Sequence, residues 1–186
     1  MFMQDQLRRF VSKRIKESSF NCKNCGLCCK TATVMMSSRE IGGISYVLGI
    51  DRNDFIKKFL ELKEIKKIKK FGNNIYEISG KCYVIKKENG LCPFYKENNG
   101  TSFCEIYNSR PIVCRLFPYT WEYNSDNNSV NIDYSESGWN DCPGIEKNST
   151  SNWDDIKNEI TGAVILSIIQ TNELQIENSV IQKRIK

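Results

Sequence analysis

Four cysteines fall within eight residues, Cys22-Lys23-Asn24-Cys25-Gly26-Leu27-Cys28-Cys29, in a chain that contains nine cysteines and no histidine. No other feature limits the fold so tightly, because so dense a run of thiols must be paired as disulfides, buried as small apolar groups or bound to metal. Disulfides are disfavoured by the odd count and by the expected compartment. Met1-Phe2-Met3-Gln4-Asp5-Gln6 leads into Leu7-Arg8-Arg9-Phe10 with no apolar h-region or small-residue cleavage site, so no secretory signal is read and a cytoplasmic location is expected. Burial as a small hydrophobe suits a lone cysteine in a strand pattern, such as Cys82, and does not suit four in eight residues. A redox Cys-x-x-Cys of thioredoxin type sits at a helix start behind a strand, whereas here Gly26 and two further cysteines follow. The spacing favours metal. One turn can aim Cys22 and Cys25 at a single ion, Gly26 allows the positive φ or close approach that such a knuckle needs, and Cys28 adds a third thiol.

The remaining cysteines are dispersed as Cys92-Pro93, Cys104-Glu105, Cys114-Arg115 and Asp141-Cys142-Pro143, each beside a turn or helix end. Ser109-Arg110-Pro111 predicts an N-cap and a first-turn proline for a short helix that carries Cys114, runs to Leu116 and is stopped by Pro118. Adjacent Cys28 and Cys29 are expected to point in different directions and so to serve different sites, or to divide into a ligand and a packed thiol. Eight thiols suffice for two four-sulfur sites. Without histidine, a site built from side chains is rich in thiolate, which suits zinc or an iron–sulfur cluster such as the 4Fe–4S type, and the sequence leaves that choice open. Four thiolates around either centre leave a charge near −2, which Lys23, Lys30, Arg110 and Arg115 are placed in sequence to offset.

The rest of the chain reads as a soluble globular protein with one core as the default, since 40% of its 186 residues are hydrophobic and 26% charged. A net charge of +5 favours acidic partners but falls well short of a dedicated nucleic-acid binder. Leu7, Phe10, Val11 and Ile15 recur at helical spacing opposite basic residues, and predict an opening amphipathic helix that packs on the core rather than on a membrane. Ser37 and Glu40 have capping-box spacing, and Asp51 is an N-cap for a helix carrying Phe55, Ile56, Phe59 and Leu60. The lysine-rich stretch from Lys57 to Lys70 predicts a solvated helix face. Ile75 to Ile78, Tyr83 to Ile85 and Phe94-Tyr95 predict short antiparallel hairpins with turns at Ser79-Gly80, Asn89-Gly90 and Asn99-Gly100. A further pair, Tyr119 to Tyr123 and Val130 to Ile132, flanks a polar turn. From Ser151 the period is helical again, through Ile156, Ile160, Ala163 and Val164, with Thr150 and Ser151 as candidate caps. The longest apolar run, Gly162 to Ile169, is about half the roughly 20 residues that span a bilayer, so no membrane span is expected.

Taken together, Cys22 to Cys29, Cys92-Pro93-Phe94, Cys104-Glu105-Ile106-Tyr107-Asn108-Ser109-Arg110-Pro111 and Cys114-Arg115-Leu116-Phe117-Pro118 resemble the CxxCxxCC cysteine-cluster family, also called YkgJ-like. That family is described as chelating zinc or iron, and similar clusters occur in flagellin lysine N-methylases, where an iron–sulfur centre is implicated. Carried over position by position, the resemblance implies Cys22, Cys25, Cys28, Cys29, Cys92, Cys104, Cys114 and Cys142 as metal ligands; Cys82 falls outside the pattern.

The expected architecture is therefore α+β: a single small domain stapled by a cysteine-ligated metal centre, with flanking N- and C-terminal helices. Its parts are an N-terminal amphipathic helix over 1–19, the cysteine-cluster domain over 20–146 and a C-terminal helical segment over 147–186. The leading functional reading is a metal–thiolate module with zinc or an iron–sulfur cluster as cofactor and no catalytic residue assigned. One alternative is an iron–sulfur enzyme or redox protein working with a protein partner related to lysine N-methylases, with Tyr107, Arg110 and Arg115 tuning the cluster or binding substrate. Another is nucleic-acid binding through the knuckle, the lysine-rich stretch and exposed Tyr119, Trp121 and Tyr123, which the loose interleaving of basic and aromatic residues disfavours.

Overall fold

The computed structural model describes residues 11–71, 74–99, 101–124, 129–177 and 183–185. It is an α+β domain in which short helices alternate with two-stranded ladders and one longer sheet. Of the expected opening helix, Leu7 and Phe10 lie outside the described residues. The described part is one turn, α1 (Lys13–Lys16), capped by Ser12 through its acceptance of the Ile15 N–H, with Ile15 buried in the core. Next come β1 (Ser18–Phe20), α2 (Leu27–Thr31) and β2 (Met35–Met36).

Helices α3 (Ser38–Val47) and α4 (Arg52–Phe59) carry the caps that the sequence signals. Glu40 and Ser37 form a reciprocal capping box, and the Asp51 carboxylate accepts from the Asn53 and Asp54 N–H groups. Beyond Phe59 the expected helical face gives way to a strand. Leu60 already has extended φ −118° and ψ 149°, and opens β3 (Leu60–Phe71), which pairs over its whole length with β4 (Asn74–Ile85). The cause is non-local: Ile65 and Ile68 keep a spacing compatible with a helix, but a twelve-residue antiparallel partner satisfies this backbone along a full ladder. Ser79-Gly80, read as a turn, lies inside β4 opposite Lys66 and Ile65. β2 pairs with the other edge of β4, and β10 (Lys183–Ile185) pairs with its Ile75–Glu77 end.

Of the other two hairpin signals, the one at Asn99 stands as read, whereas Asn89-Gly90 makes a turn without a hairpin, because β4 pairs with β3 and the strand from Tyr95 pairs with Thr101–Cys104. Asn89 and Gly90 both adopt positive φ, 51° and 81°, between the Glu88–Leu91 bridge, and Asn99 at φ 49° begins the turn between β5 (Tyr95–Asn98) and β6 (Thr101–Cys104). A 3₁₀ turn (Tyr107–Ser109) then leads to α5 (Ile112–Leu116), β7 (Tyr119–Asn124), β8 (Ser129–Tyr134), α6 (Glu136–Asp141), β9 (Ile145–Lys147) and the long α7 (Trp153–Glu177). β7 pairs with β8, as expected, and β9 returns to pair with β1.

The interior divides into two hydrophobic clusters rather than one. The first joins Ile15, Ile112, Leu116, Tyr119, Val130, Ile132 and Tyr134 to Ile160, Ala163 and Val164 of α7. The second joins Val34, Met36, Ile41, Ile44, Phe55, Leu60, Ile85, Phe94 and Ile106. Its centre is an aromatic trio, with the Phe55 and Phe94 rings stacked at 6.2 Å and Phe59 within 5.2 Å of both. Full burial of Phe55 and of Phe94 contributes about 1.5–3 kcal/mol each. Tyr119, expected on the surface, is 4% exposed and stacks on Tyr134, because β7 turns that face onto α7; half-buried Trp121 donates its indole N–H to Ser167 Oγ at 3.0 Å. The aromatic surface imagined for nucleic acid therefore belongs, at Tyr119, to the core. Among the described residues, no helix is long and apolar enough to cross a membrane.

Candidate metal centre

None of the nine cysteines forms a disulfide. Eight of them, Cys22, Cys25, Cys28, Cys29, Cys92, Cys104, Cys114 and Cys142, line a single cavity of about 80 Å³ lying between the two cores. Phe20, packed against the first core, forms one side; Val34, Ile85, Phe94 and Ile106 of the second form the other. These eight are the cysteines singled out from the sequence. Cys82 is the exception there as well, buried in β4 opposite Lys63 and absent from the lining.

Each thiol reaches the cavity for a local reason. Gly26 stands at φ +71°, just before α2, and a Cβ there would collide with the Tyr95 ring, so both the left-handed backbone and the close approach require glycine. Asn24, also at positive φ, accepts from the Cys22 thiol at 3.6 Å. α2 carries Cys28 and Cys29, and the Cys29 carbonyl accepts the Cys92 N–H at 3.1 Å. Cys104 closes β6 opposite Tyr95. Cys142 is the C-cap of α6, and two residues on, the Gly144 carbonyl accepts the Asn21 N–H at 2.9 Å, extending the β1–β9 ladder towards Cys22.

Cys114 is carried by α5, whose start differs from the sequence reading. Pro111, not Ser109, is the N-cap, and it has no side-chain cap. Glu40 supplies the missing acceptor from α3: its Oε1 accepts the Ile112 N–H at 2.7 Å while its Oε2 accepts from the Ser37 N–H and hydroxyl at 2.9 Å. One carboxylate thus caps two helices and fixes the helix of Cys114 to the second core.

The thiols differ in acidity. Cys29 is hydrogen-bonded to both Cys28 and Cys92, and sharing its proton holds Cys28 down to about 6 and Cys92 to about 7, with Arg110 assisting at Cys28; Cys29 is pushed up in turn. Burial pushes up Cys104, Cys114 and Cys142. Cys28 and Cys29, adjacent on α2, point in different directions as expected, and both line the cavity. They sit about 100° apart on one short helix, and the cavity wraps around both. Among the described residues, no three cysteine, aspartate or glutamate side chains are gathered closely enough to hold an ion.

Of the cations expected to balance thiolate charge, Lys23 and Arg110 line the cavity, whereas Lys30 and Arg115 do not. Arg110 is held at the lip by its contact with the Tyr107 ring, 3.8 Å to the centroid, and by donation to the Tyr107 carbonyl at 3.0 Å. Lys87, Tyr95 and Phe103 also line it and were not singled out from sequence. The Asn89-Gly90 turn, which reverses the chain between Lys87 and Cys92, was the available signal for Lys87.

The donor set fits a thiophilic metal: thiols without imidazole, with three cationic side chains around them. The volume is also well below the roughly 300–1,000 Å³ of pockets that enclose organic ligands. Comparison with known proteins agrees. A protein named "Uncharacterized protein MJ0661" from Methanocaldococcus jannaschii is 26% identical over 102 residues, covering 55% of this chain and 46% of that relative, so the match spans less than half of its length. No solved structure matches the chain significantly. The family described as "CxxCxxCC: Putative zinc- or iron-chelating domain" matches residues 21–143, which hold all eight cavity cysteines and more than half of the chain, so the chain belongs to the CxxCxxCC family.

Proposed function

We propose that this protein binds zinc or iron through the thiolates of Cys22, Cys25, Cys28, Cys29, Cys92, Cys104, Cys114 and Cys142, and that the metal fastens its two cores together. The observation that supports this most is the convergence of eight thiols, drawn from segments up to 120 residues apart, on one small cavity. Lys23, Lys87 and Arg110 reduce the excess negative charge of thiolate coordination, and the apolar Phe94 and Ile106 side of the cavity packs against Cys92, Cys104 and Cys114. Zinc or an iron–sulfur cluster would supply a rigid multivalent cross-link there. The protein's own residues hold the sulfurs near one another and set which of them deprotonate first.

The test is elemental analysis and an absorption spectrum on protein purified anaerobically. Zinc with a featureless visible spectrum, or iron with sulfide-to-iron absorption that bleaches on reduction, supports the proposal and identifies the metal. Protein that carries neither metal and takes up neither on reconstitution removes it.

A further inference from the structure

Three structural links divide the eight thiols into an outer and an inner group. The β1–β9 ladder, extended by the Asn21–Gly144 hydrogen bond, brings the segment of Cys22 alongside that of Cys142. Cys22 and Cys25 are exposed. On the other side, Cys92, Cys104 and Cys114 pack against the second core. The β5 backbone connects the first two: Tyr95 donates to the Cys92 carbonyl at 3.0 Å and pairs with Cys104.

The adjacent pair on α2 stands between the groups. Cys29 is tied to the inner side by the hydrogen bond from the Cys92 N–H to its carbonyl. Cys28 adjoins Cys29 on the same helix, but it follows Cys25 at the two-residue spacing that separates Cys25 from Cys22, which groups it with the outer thiols.

Resting on the metal-binding reading above, the geometry points to two separate four-thiolate sites in one cavity: an outer site of Cys22, Cys25, Cys28 and Cys142, and an inner site of Cys29, Cys92, Cys104 and Cys114. Each site takes one thiophilic divalent ion, with all four sulfurs deprotonated and every thiol still protonated in the metal-free chain giving its proton to solvent. The inner ion is walled by Phe94 and Ile106, and the outer ion faces solvent, so a chelator reaches the outer one first.

The experiment uses the full chain, reduced, freed of metal and titrated with cadmium-113, an NMR-active probe that prefers thiolate. Two resonances, both in the four-thiolate region and filling to two equivalents, are expected. Chelator added to the loaded protein should remove one equivalent in a fast phase and the second in a slow one. The double variant Cys25→Ser/Cys142→Ser should lose one of the two resonances, and Cys104→Ser/Cys114→Ser the other. Cys28→Ser should lose the outer resonance and Cys29→Ser the inner one.

A single resonance in the unaltered chain, or both double variants losing the same one, overturns the division while leaving metal binding intact. No cadmium uptake at all fails the underlying reading instead. The resonance count and the chelation phases come from unaltered protein, so a variant that does not fold leaves the division open to refutation.

Discussion

Cys114 and Cys22 face the same cavity and are held there by opposite means. Cys114 projects from a helix capped by Glu40, with Ile112 and Leu116 sunk in the first core and the thiol itself packed against the second. Cys22 stands exposed in the segment between β1 and α2, where its thiol has Asn24 as a hydrogen-bond partner and the nearest ladder ends one residue earlier. The inner thiols are positioned by apolar packing that exists without metal. On the proposed reading, the outer ones would take their final arrangement from the ion. The difference suggests a protein whose folding and metal uptake are coupled unevenly across one site.

Metal removal should expose this contrast most strongly. Structural zinc in small thiolate domains carries on the order of 10 kcal/mol of apparent binding free energy. Chelation should therefore lower Tm substantially, with hydrogen-exchange protection lost first at 21–31 and 142–147 and last along β7, β8 and α7. Equal loss of protection everywhere would erase the distinction between the two walls.

Phe94→Ala attacks the inner wall directly. The ring is 1% exposed and packs on both Phe55 and Phe59, so its truncation should cost about 3–5 kcal/mol in denaturant unfolding. Gly26→Ala is its outer counterpart. Forcing a β-carbon into the left-handed region costs roughly 1–2 kcal/mol, and the Tyr95 ring must also move. That variant should weaken metal retention in a chelator competition more than it lowers the stability of the metal-free protein. The reverse ranking would place the knuckle in the preformed part of the fold.

The smallest effect is one of reactivity. In metal-free folded protein Cys28, held at about 6 against an ordinary 9.0 by the Cys29 thiol and then by Arg110, is mostly thiolate throughout the interval between those values. Its alkylation should rise with a midpoint near pH 6, while Cys114, whose pKa burial raises, stays unlabelled. Unfolding should bring both to a common midpoint near 9. A midpoint near 9 for Cys28 in the folded chain would show that the thiol cluster does not share protons as described.

What could be read from sequence was what depends on neighbours along the chain. The Ser37–Glu40 box, the Asp51 cap and the Asn89-Gly90 turn are each complete within four residues, and each stands in the structure. The stretch after Lys57 misled because its isoleucine spacing is ambiguous and its partner strand settles the matter from up to 25 residues away. Tyr119 misled because burial against Tyr134 is invisible locally. The thiols were legible as a set from their spacing and family resemblance, and their convergence on one cavity agrees with that reading. The Glu40 bond to Ile112, across 72 residues, had no sequence signal at all.

The β1–β9 ladder also has a bearing on how the protein is made. Cys22 and Cys142 are separated by 120 residues, which at about 5–20 residues per second is roughly 6–24 s of synthesis. On the proposed division, the inner four thiols have all been synthesised once Cys114 emerges, whereas the outer three that lie upstream wait for Cys142. A nascent chain would then receive its deep ion before its shallow one. The exposed thiols near the N-terminus would spend that interval as the part of the molecule most open to oxidation or to the wrong metal.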